Sequence, residues 1–214
     1  MAQGSDSRLM IDEDFYGAAS TLAATTAPPI ALGSLNVVGQ GIAETDSGAP
    51  RMDSDGLNGV IQLTTTNEDV HAAGLQSATM FDVALMGSIV LEARVRQAAL
   101  NTGEVFIGFS DVNTDLAIIE GAICHGDTVT VTLTASDLVG FLMASDLTDN
   151  SDWHGVYNGG TTTGETTSTS VDFDAGATAG EYQVLAWSYS PTAPPNGGLM
   201  ASWSRPLPAQ FLPL

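Results

Sequence analysis

The alternation of apolar and polar positions along the middle and later part of the chain predicts short β-strands. From residue 59 onward, runs rich in Val, Ile, Thr and Phe are separated by Gly, Asn and Asp, which favour turns. The expected strands span residues 60–66, 88–97, 104–110, 128–134, 138–144, 153–158, 168–173, 182–189 and 199–203. Helical spacing is found in residues 115–123, where Leu116, Ile119 and Ile123 favour one short helix.

Two of these segments have the same alternation and predict a hairpin. In the first, Ile89, Leu91, Ala93 and Val95 face one side while Glu92, Arg94 and Arg96 face the other; in the second, Val105, Ile107 and Phe109 share the buried side. A turn through residues 98–103 would place Arg96 opposite Glu104. Glu92 and Glu104 would then lie about 13 Å apart along the sheet, at ~3.3 Å per residue. Glycosidases need two carboxyl groups about 5 to 9.5 Å apart, so this pair is expected to neutralise arginines instead.

Many short strands without intervening helical periods predict an all-β fold, an antiparallel β-sandwich or jelly roll. Residues 1–35 are expected to form an extended N-terminal arm, since Pro28 and Pro29 prevent a helix there; an ordinary mobile terminus is the alternative. The sandwich is expected over residues 36–204. Residues 205–214 alternate Pro with Leu and Phe, which predicts an extended C-terminal tail.

Charge narrows the function classes. The formal net charge is −20, and the five basic residues are all arginine. This balance provides no basic patch for nucleic acid or an anionic membrane surface, so neither is expected as a partner. The segment MAQGSDSRLM lacks the basic and apolar regions of a signal peptide, and no run approaches the length of a spanning helix. Synthesis and folding in a cytoplasm are therefore expected.

Three acidic loops are candidate calcium sites. Their oxygen-bearing residues are Asp53, Asp55 and Asn58; Asp111, Asn113 and Asp115; and Asp149, Asn150 and Asp152. The second loop begins like an EF-hand, but Leu116 stands where the turn glycine belongs and Ala122 where the bidentate glutamate belongs. Asp and Asn are also common turn residues, so no metal site is predicted.

The sequence also predicts no catalytic site. His71, His125 and His154 are scattered, Cys124 is the single cysteine, and neither a nucleophile elbow nor a phosphate loop is present. Trp153, Trp187 and Trp203 each fall in a predicted strand, which favours core packing over a sugar-stacking platform. The chain is expected to be non-enzymatic, with no cofactor.

Several strand and turn segments resemble phage virion proteins built on a concanavalin A-like jelly roll. These segments are GVIQLTTTNED, SIVLEARVR, GEVFIGFSDV, DLVGFLMASD, DWHGVYNGG and GEYQVLAWSY, spanning residues 59–187. The resemblance implies a capsid decoration, or cement, protein that binds the major capsid protein and neighbouring copies of itself, often as a homo-oligomer such as a trimer. It implies no catalytic residues, and the E-x-D-x-x-E motif of the related glucanases is absent.

The resemblance therefore implies a structural protein on the outer capsid surface of the virion, made in the host cytoplasm. A carbohydrate-binding module or adhesin of the same fold remains the alternative, with a glycan as its ligand. A polysaccharide-cleaving enzyme is the third possibility.

Overall fold

The computed structural model describes residues 2–5, 8–15, 29–40, 51–53, 59–65, 71–77, 89–115, 119–159, 168–189 and 200–201. Its contacts divide the chain into two compact units, Met1–Met80 with Asn113–Ile118 and Phe81–Val112 with Ile119–Leu214. The described residues form an all-β, antiparallel structure, as the sequence predicts. Helical structure among them is a single π-helical turn, Ile119–Ile123.

The described residues of the first unit form seven strands, in two hairpins and one three-stranded sheet. The strands are β1 (Ala2–Ser5), β2 (Arg8–Ile11), β3 (Ile30–Leu32), β4 (Leu35–Val38), β5 (Arg51–Asp53), β6 (Val60–Gln62) and β7 (Gly74–Ser77). β1 pairs with β2, β5 pairs with β6, and β4 lies between β3 and β7.

The turn between β3 and β4 is held by a carboxylate from another segment of this unit. Glu13 Oε2 accepts hydrogen bonds from Ser34 N at 2.9 Å and Ser34 Oγ at 2.8 Å, and Glu13 Oε1 accepts one from Phe15 N at 3.3 Å. Gly33 has a φ of 61°, the left-handed region that a two-residue hairpin loop requires at its first position. These bonds stabilise the charged carboxylate, and the Ser34 N–H contributes most to lowering the pKa of Glu13.

In the part of the second unit that the structure describes there are nine strands. They are β8 (Ile89–Arg96), β9 (Glu104–Ser110), β10 (Cys124–Asp127), β11 (Thr130–Leu133), β12 (Leu138–Ala144), β13 (Asp152–Asn158), β14 (Ser168–Gly176), β15 (Tyr182–Tyr189) and β16 (Met200–Ala201). β16, β15 and β8 form a three-stranded sheet, called the front sheet here, and β14, β13, β12 and β9 form the four-stranded back sheet. β10 and β11 form a separate hairpin.

The front and back sheets pack face to face and enclose one core. Ile89, Leu185 and Trp187 of the front sheet form a buried cluster with Phe141, Met143 and Trp153 of the back sheet. Trp187 meets Phe109 edge to face, with ring centroids 5.3 Å apart. Burial of each such side chain contributes about 1.5–3 kcal/mol, so this interface stabilises the sandwich.

The other face of the back sheet is covered by the β10–β11 hairpin. Cys124, Val131 and Leu133 of the hairpin pack with Leu138, Leu142 and Val156 of the sheet. β12 is therefore buried on both faces, which explains its nearly continuous apolar sequence, LVGFLMA.

The predicted strand bounds 104–110, 138–144 and 182–189 are confirmed, but the predicted hairpin is wrong. β8 pairs with β15 and β9 pairs with β12, so the segment after β8 crosses from the front sheet to the back sheet. Arg96 lies opposite Tyr182, and Glu104 lies opposite Ala144. Alternation determines which face of the sheet a side chain occupies, but it is equally compatible with any antiparallel partner of matching parity. The pairing predicted from alternation is wrong for this reason.

The predicted helix over 115–123 reduces to the π-helical turn at Ile119–Ile123, and residues 116–118 lie outside the described residues. The division into an arm at 1–35, a sandwich at 36–204 and a tail at 205–214 stays a prediction. The described part of residues 1–35 contains β1, β2 and β3, whereas residues 205–214 lie outside the described residues.

Candidate functional site

The first cluster of polar side chains in the second unit is centred on Glu104, at the start of β9. Its Oε1 accepts a hydrogen bond from Gly126 N at 2.9 Å and lies 3.0 Å from His125 Nδ1. Burial of the carboxyl group raises the pKa of Glu104, and the Gly126 N–H and His125 offset part of this effect. Arg96, which the sequence predicts as the partner of Glu104, lies on the front sheet. Glu104 instead contacts Gly126 and His125 of β10 and thereby anchors the β10–β11 hairpin.

Cys124 is next to His125 in the chain but lies on the other face of β10. The thiol is fully buried in the cluster between the hairpin and the back sheet. Burial, with a further contribution from the Glu104 charge, raises the pKa of Cys124 to about 12. A thiol with such a pKa has almost no thiolate at neutral pH, so this cysteine behaves as a small core residue and not as a nucleophile.

The second cluster consists of three carboxylates at the end of the back sheet. One oxygen from each of Asp152, Asp172 and Asp174 lies within 4.8 Å of the others. They meet because the β13–β14 register shifts between Asp152 and His154, and Asp174 adopts a φ of 49° in the irregular part of β14. Asp172 Oδ1 also accepts a hydrogen bond from Asp174 N at 2.8 Å.

Negative charge is disfavoured at Asp152. Burial raises the pKa of Asp152, and the charges of Asp172 and Asp149 raise it further, whereas His154 and a hydrogen bond from Ser151 offset part of this effect. His154, the cross-strand neighbour of Asp172, is 7% exposed, and its Nε2 has no hydrogen-bond partner among the described residues. The three carboxylates offer oxygen ligands of the type that hard divalent cations take, but Ca²⁺ needs about six to eight oxygens.

The structure places the residues of the three candidate calcium loops in different surroundings. Asp152 of the third loop joins Asp172 and Asp174, whereas Asn150 Nδ2 donates to Ser145 O at 3.4 Å. Asp55 and Asn58 of the first loop lie outside the described residues. In the middle loop, Asp111 belongs to the second unit while Asn113 and Asp115 belong to the first.

Sequence reasoning did not select Asp172 and Asp174. Their i, i+2 spacing in the strand sequence VDFDAG was the available signal, because alternate strand residues share a face. Their approach to Asp152 depends on the irregular pairing of β13 with β14, for which the sequence had no signal.

A sugar-binding platform would require tryptophan rings with exposed faces. Trp153 and Trp187 are 0% and 2% exposed, so their faces pack in the core and do not reach a ligand. Trp203 lies outside the described residues. The prediction of core packing is therefore confirmed for Trp153 and Trp187.

None of the helical structure among the described residues is long and apolar enough to cross a membrane. Comparison with known proteins finds no matching family model, no similar curated protein and no similar solved structure.

Proposed function

We propose that this chain is a structural, non-enzymatic virion protein that decorates a bacteriophage capsid. In this role it binds the major capsid protein and neighbouring copies of itself on the outer surface and stabilises the shell. The proposal includes a concanavalin A-like jelly roll as the finer description of the sandwich.

The observation that carries the proposal is the position of the segments that resemble decoration proteins. SIVLEARVR, GEVFIGFSDV, DLVGFLMASD, DWHGVYNGG and GEYQVLAWSY coincide with β8, β9, β12, β13 and β15. β8, β12, β13 and β15 provide the buried residues of the core between the front and back sheets, and β9 adds partly buried ones. The sixth segment, GVIQLTTTNED, contains β6 of the first unit. Five of the six segments that carry the resemblance therefore build the sandwich.

The chemistry of the described polar groups favours adhesion over hydrolysis. Glu104 is engaged with Gly126 and His125, and Cys124 is buried in the core. Glu92 lies on the front sheet, so it is not the cross-strand neighbour of Glu104 on the back sheet. These contacts support a protein that functions by binding through its exposed surfaces.

A decoration role also suits the electrostatics. A net charge of −20 keeps particles that display many copies from sticking to one another. Contacts repeated across a lattice multiply modest affinities through high effective concentration, so each copy needs no large interface.

Mass spectrometry of purified virions from the encoding source tests the proposal. We expect this chain in near-stoichiometric ratio to the major capsid protein, and recombinant chain added to stripped capsids should rebind and raise their resistance to heat. Absence of the chain from purified particles would refute the proposal. Specific hits on a glycan array would instead favour the carbohydrate-binding alternative.

A second assay addresses enzymatic function. Glu92→Gln with Glu104→Gln should leave any measured polysaccharide hydrolysis unchanged, and a collapse of activity would overturn the non-enzymatic assignment. Far-UV circular dichroism of the double variant checks that a loss does not arise from unfolding.

A further inference from the structure

The front sheet has one face in the core and one face turned outward. On the outward face of β8, Val90, Glu92, Arg94 and Arg96 are exposed, and Val90 is 70% exposed. Tyr182 and Val184 of β15 lie directly opposite Arg96 and Arg94 and share this face. We call this surface the arginine face, defined by Val90, Glu92, Arg94, Arg96, Tyr182 and Val184.

The arginine face concentrates positive charge on a strongly acidic protein. The chain has 25 acidic and five basic residues, and two of the five are Arg94 and Arg96. The guanidinium carbons of Arg94 and Arg96 lie 4.2 and 5.0 Å from the centroid of the Tyr182 ring. Among the described residues, neither guanidinium forms an ion pair.

Stacking on Tyr182 prepares both arginines for a ligand. Cation–π contact restricts the side chains before binding, so less conformational entropy is lost when a partner docks. The planar guanidinium can still donate its N–H groups in a fork that matches a carboxylate. Arginine and tyrosine are also among the residues enriched at the energetically important positions of protein interfaces.

The two guanidiniums of the arginine face favour a partner surface that carries carboxylates. We propose that the arginine face binds a carboxylate-bearing surface of a second copy of this chain. Two whole copies repel each other at a net charge of −20, so an orientation that presents Arg94 and Arg96 to acidic side chains is favoured over others. Two arginine faces meeting each other would bring four guanidiniums together with only two Glu92 carboxylates, and this excess of positive charge disfavours a symmetric contact through this face.

The contact is therefore heterologous: the arginine face of one copy meets a different, acidic surface of the next. Such contacts close into rings when the rotation between copies permits it and otherwise form open chains. This inference rests on the binding between neighbouring copies that the proposed function includes, and it adds the surface that mediates it; its test uses the purified chain alone.

Sedimentation velocity of the full chain tests the inference, at about 150 mM salt, where long-range repulsion is screened within about 8 Å. Wild-type chain should form oligomers at concentrations up to about 100 μM, and Arg94→Gln with Arg96→Gln should weaken association by about tenfold or more. Arg8→Gln with Arg51→Gln is the matched control, because it changes the net charge equally at positions on β2 and β5. This control should associate like the wild type.

Tyr182→Ala should also weaken association, whereas Tyr182→Phe keeps the ring and should retain it. A wild-type chain that stays monomeric throughout the concentration range, or an Arg94/Arg96 double variant that associates normally, overturns the inference. A monomeric chain that binds capsids through Arg94 and Arg96 would overturn it while supporting the capsid role, so the two failures are distinguishable. Circular dichroism confirms that each variant folds.

Discussion

Trp153 Nε1 donates a hydrogen bond to Gln183 Oε1 at 2.9 Å and thereby links the back sheet to the front sheet. Trp153 is fully buried, so its indole N–H has no access to water in the folded protein. The bond satisfies a donor that would otherwise be costly to bury, and it fixes one point of alignment between the two sheets.

We expect Trp153→Phe to destabilise the second unit more than Trp187→Phe. Both changes shrink a buried aromatic ring, but Trp187 Nε1 has no hydrogen-bond partner among the described residues. The difference should be about 1 kcal/mol, the net contribution of a hydrogen bond. Urea unfolding followed by circular dichroism measures it, and equal losses for the two variants would contradict this account.

The back sheet contains a close approach of two glycines, Gly108 of β9 and Gly140 of β12, which are direct cross-strand partners. A Cβ on Gly108 would lie 2.2 Å from Val139 O, and one on Gly140 would lie 2.4 Å from Ile107 O. Gly108→Ala and Gly140→Ala should therefore each cost about 1–3 kcal/mol, because backbone must move. Thermal unfolding tests this, with Gly103→Ala as the control, since nothing lies within 4 Å of its Cβ position.

Removal of the Glu104 carboxylate should loosen the β10–β11 hairpin. Glu104→Ala leaves the Gly126 N–H without its acceptor, at an expected cost of about 1–3 kcal/mol. Glu104→Gln keeps an acceptor oxygen and should cost much less. Hydrogen exchange at the Gly126 amide measures this change directly. Glu181→Ala, which removes an exposed carboxylate, is the control. Unchanged protection of the Gly126 amide in Glu104→Ala would contradict the anchoring role of Glu104.

The carboxylate cluster should make Asp152→Asn stabilising at neutral pH. A raised pKa in the folded state means that ionisation of Asp152 opposes folding, so stability falls as the pH rises through the window between its unfolded and folded pKa values. The substitution should increase the free energy of unfolding by up to about 0.5 kcal/mol at pH 7, with the gain vanishing below that window. Asp111→Asn removes an exposed carboxylate outside the cluster and controls for the general effect of reducing the net charge. An equal increase in the free energy of unfolding for Asp111→Asn would contradict the role of the cluster.

Glu13 should give the opposite pH dependence in the first unit. A lowered folded-state pKa means that its ionisation favours folding, so the contribution is present above the unfolded pKa of about 4.3 and lost as the pH falls through the folded value. The protection factor of the Ser34 amide, which corrects the exchange rate for the intrinsic pH dependence of exchange, should therefore fall more steeply with acidification in the wild type than in Glu13→Gln. The same acid dependence in both proteins would show that the Glu13 carboxylate does not hold this turn.

The sequence by itself determined the all-β class and several strand bounds. In β8, β9 and β15, alternation with a period of two marks the core-facing residues, and this signal is local. The burial of Trp187 in β15 follows from the same local pattern, whereas in β13 four consecutive residues beginning with Trp153 are buried.

Only the tertiary structure decided which strands pair and which polar groups meet. β8 and β9 adjoin in the chain but belong to different sheets, because antiparallel pairing depends on parity and on packing of the whole core, not on proximity in sequence. For the same reason Glu104 meets Gly126 instead of Arg96, and irregular pairing brings Asp172 and Asp174 to Asp152. Contacts between residues far apart in the chain are set by the energy of the complete fold, which no local pattern contains.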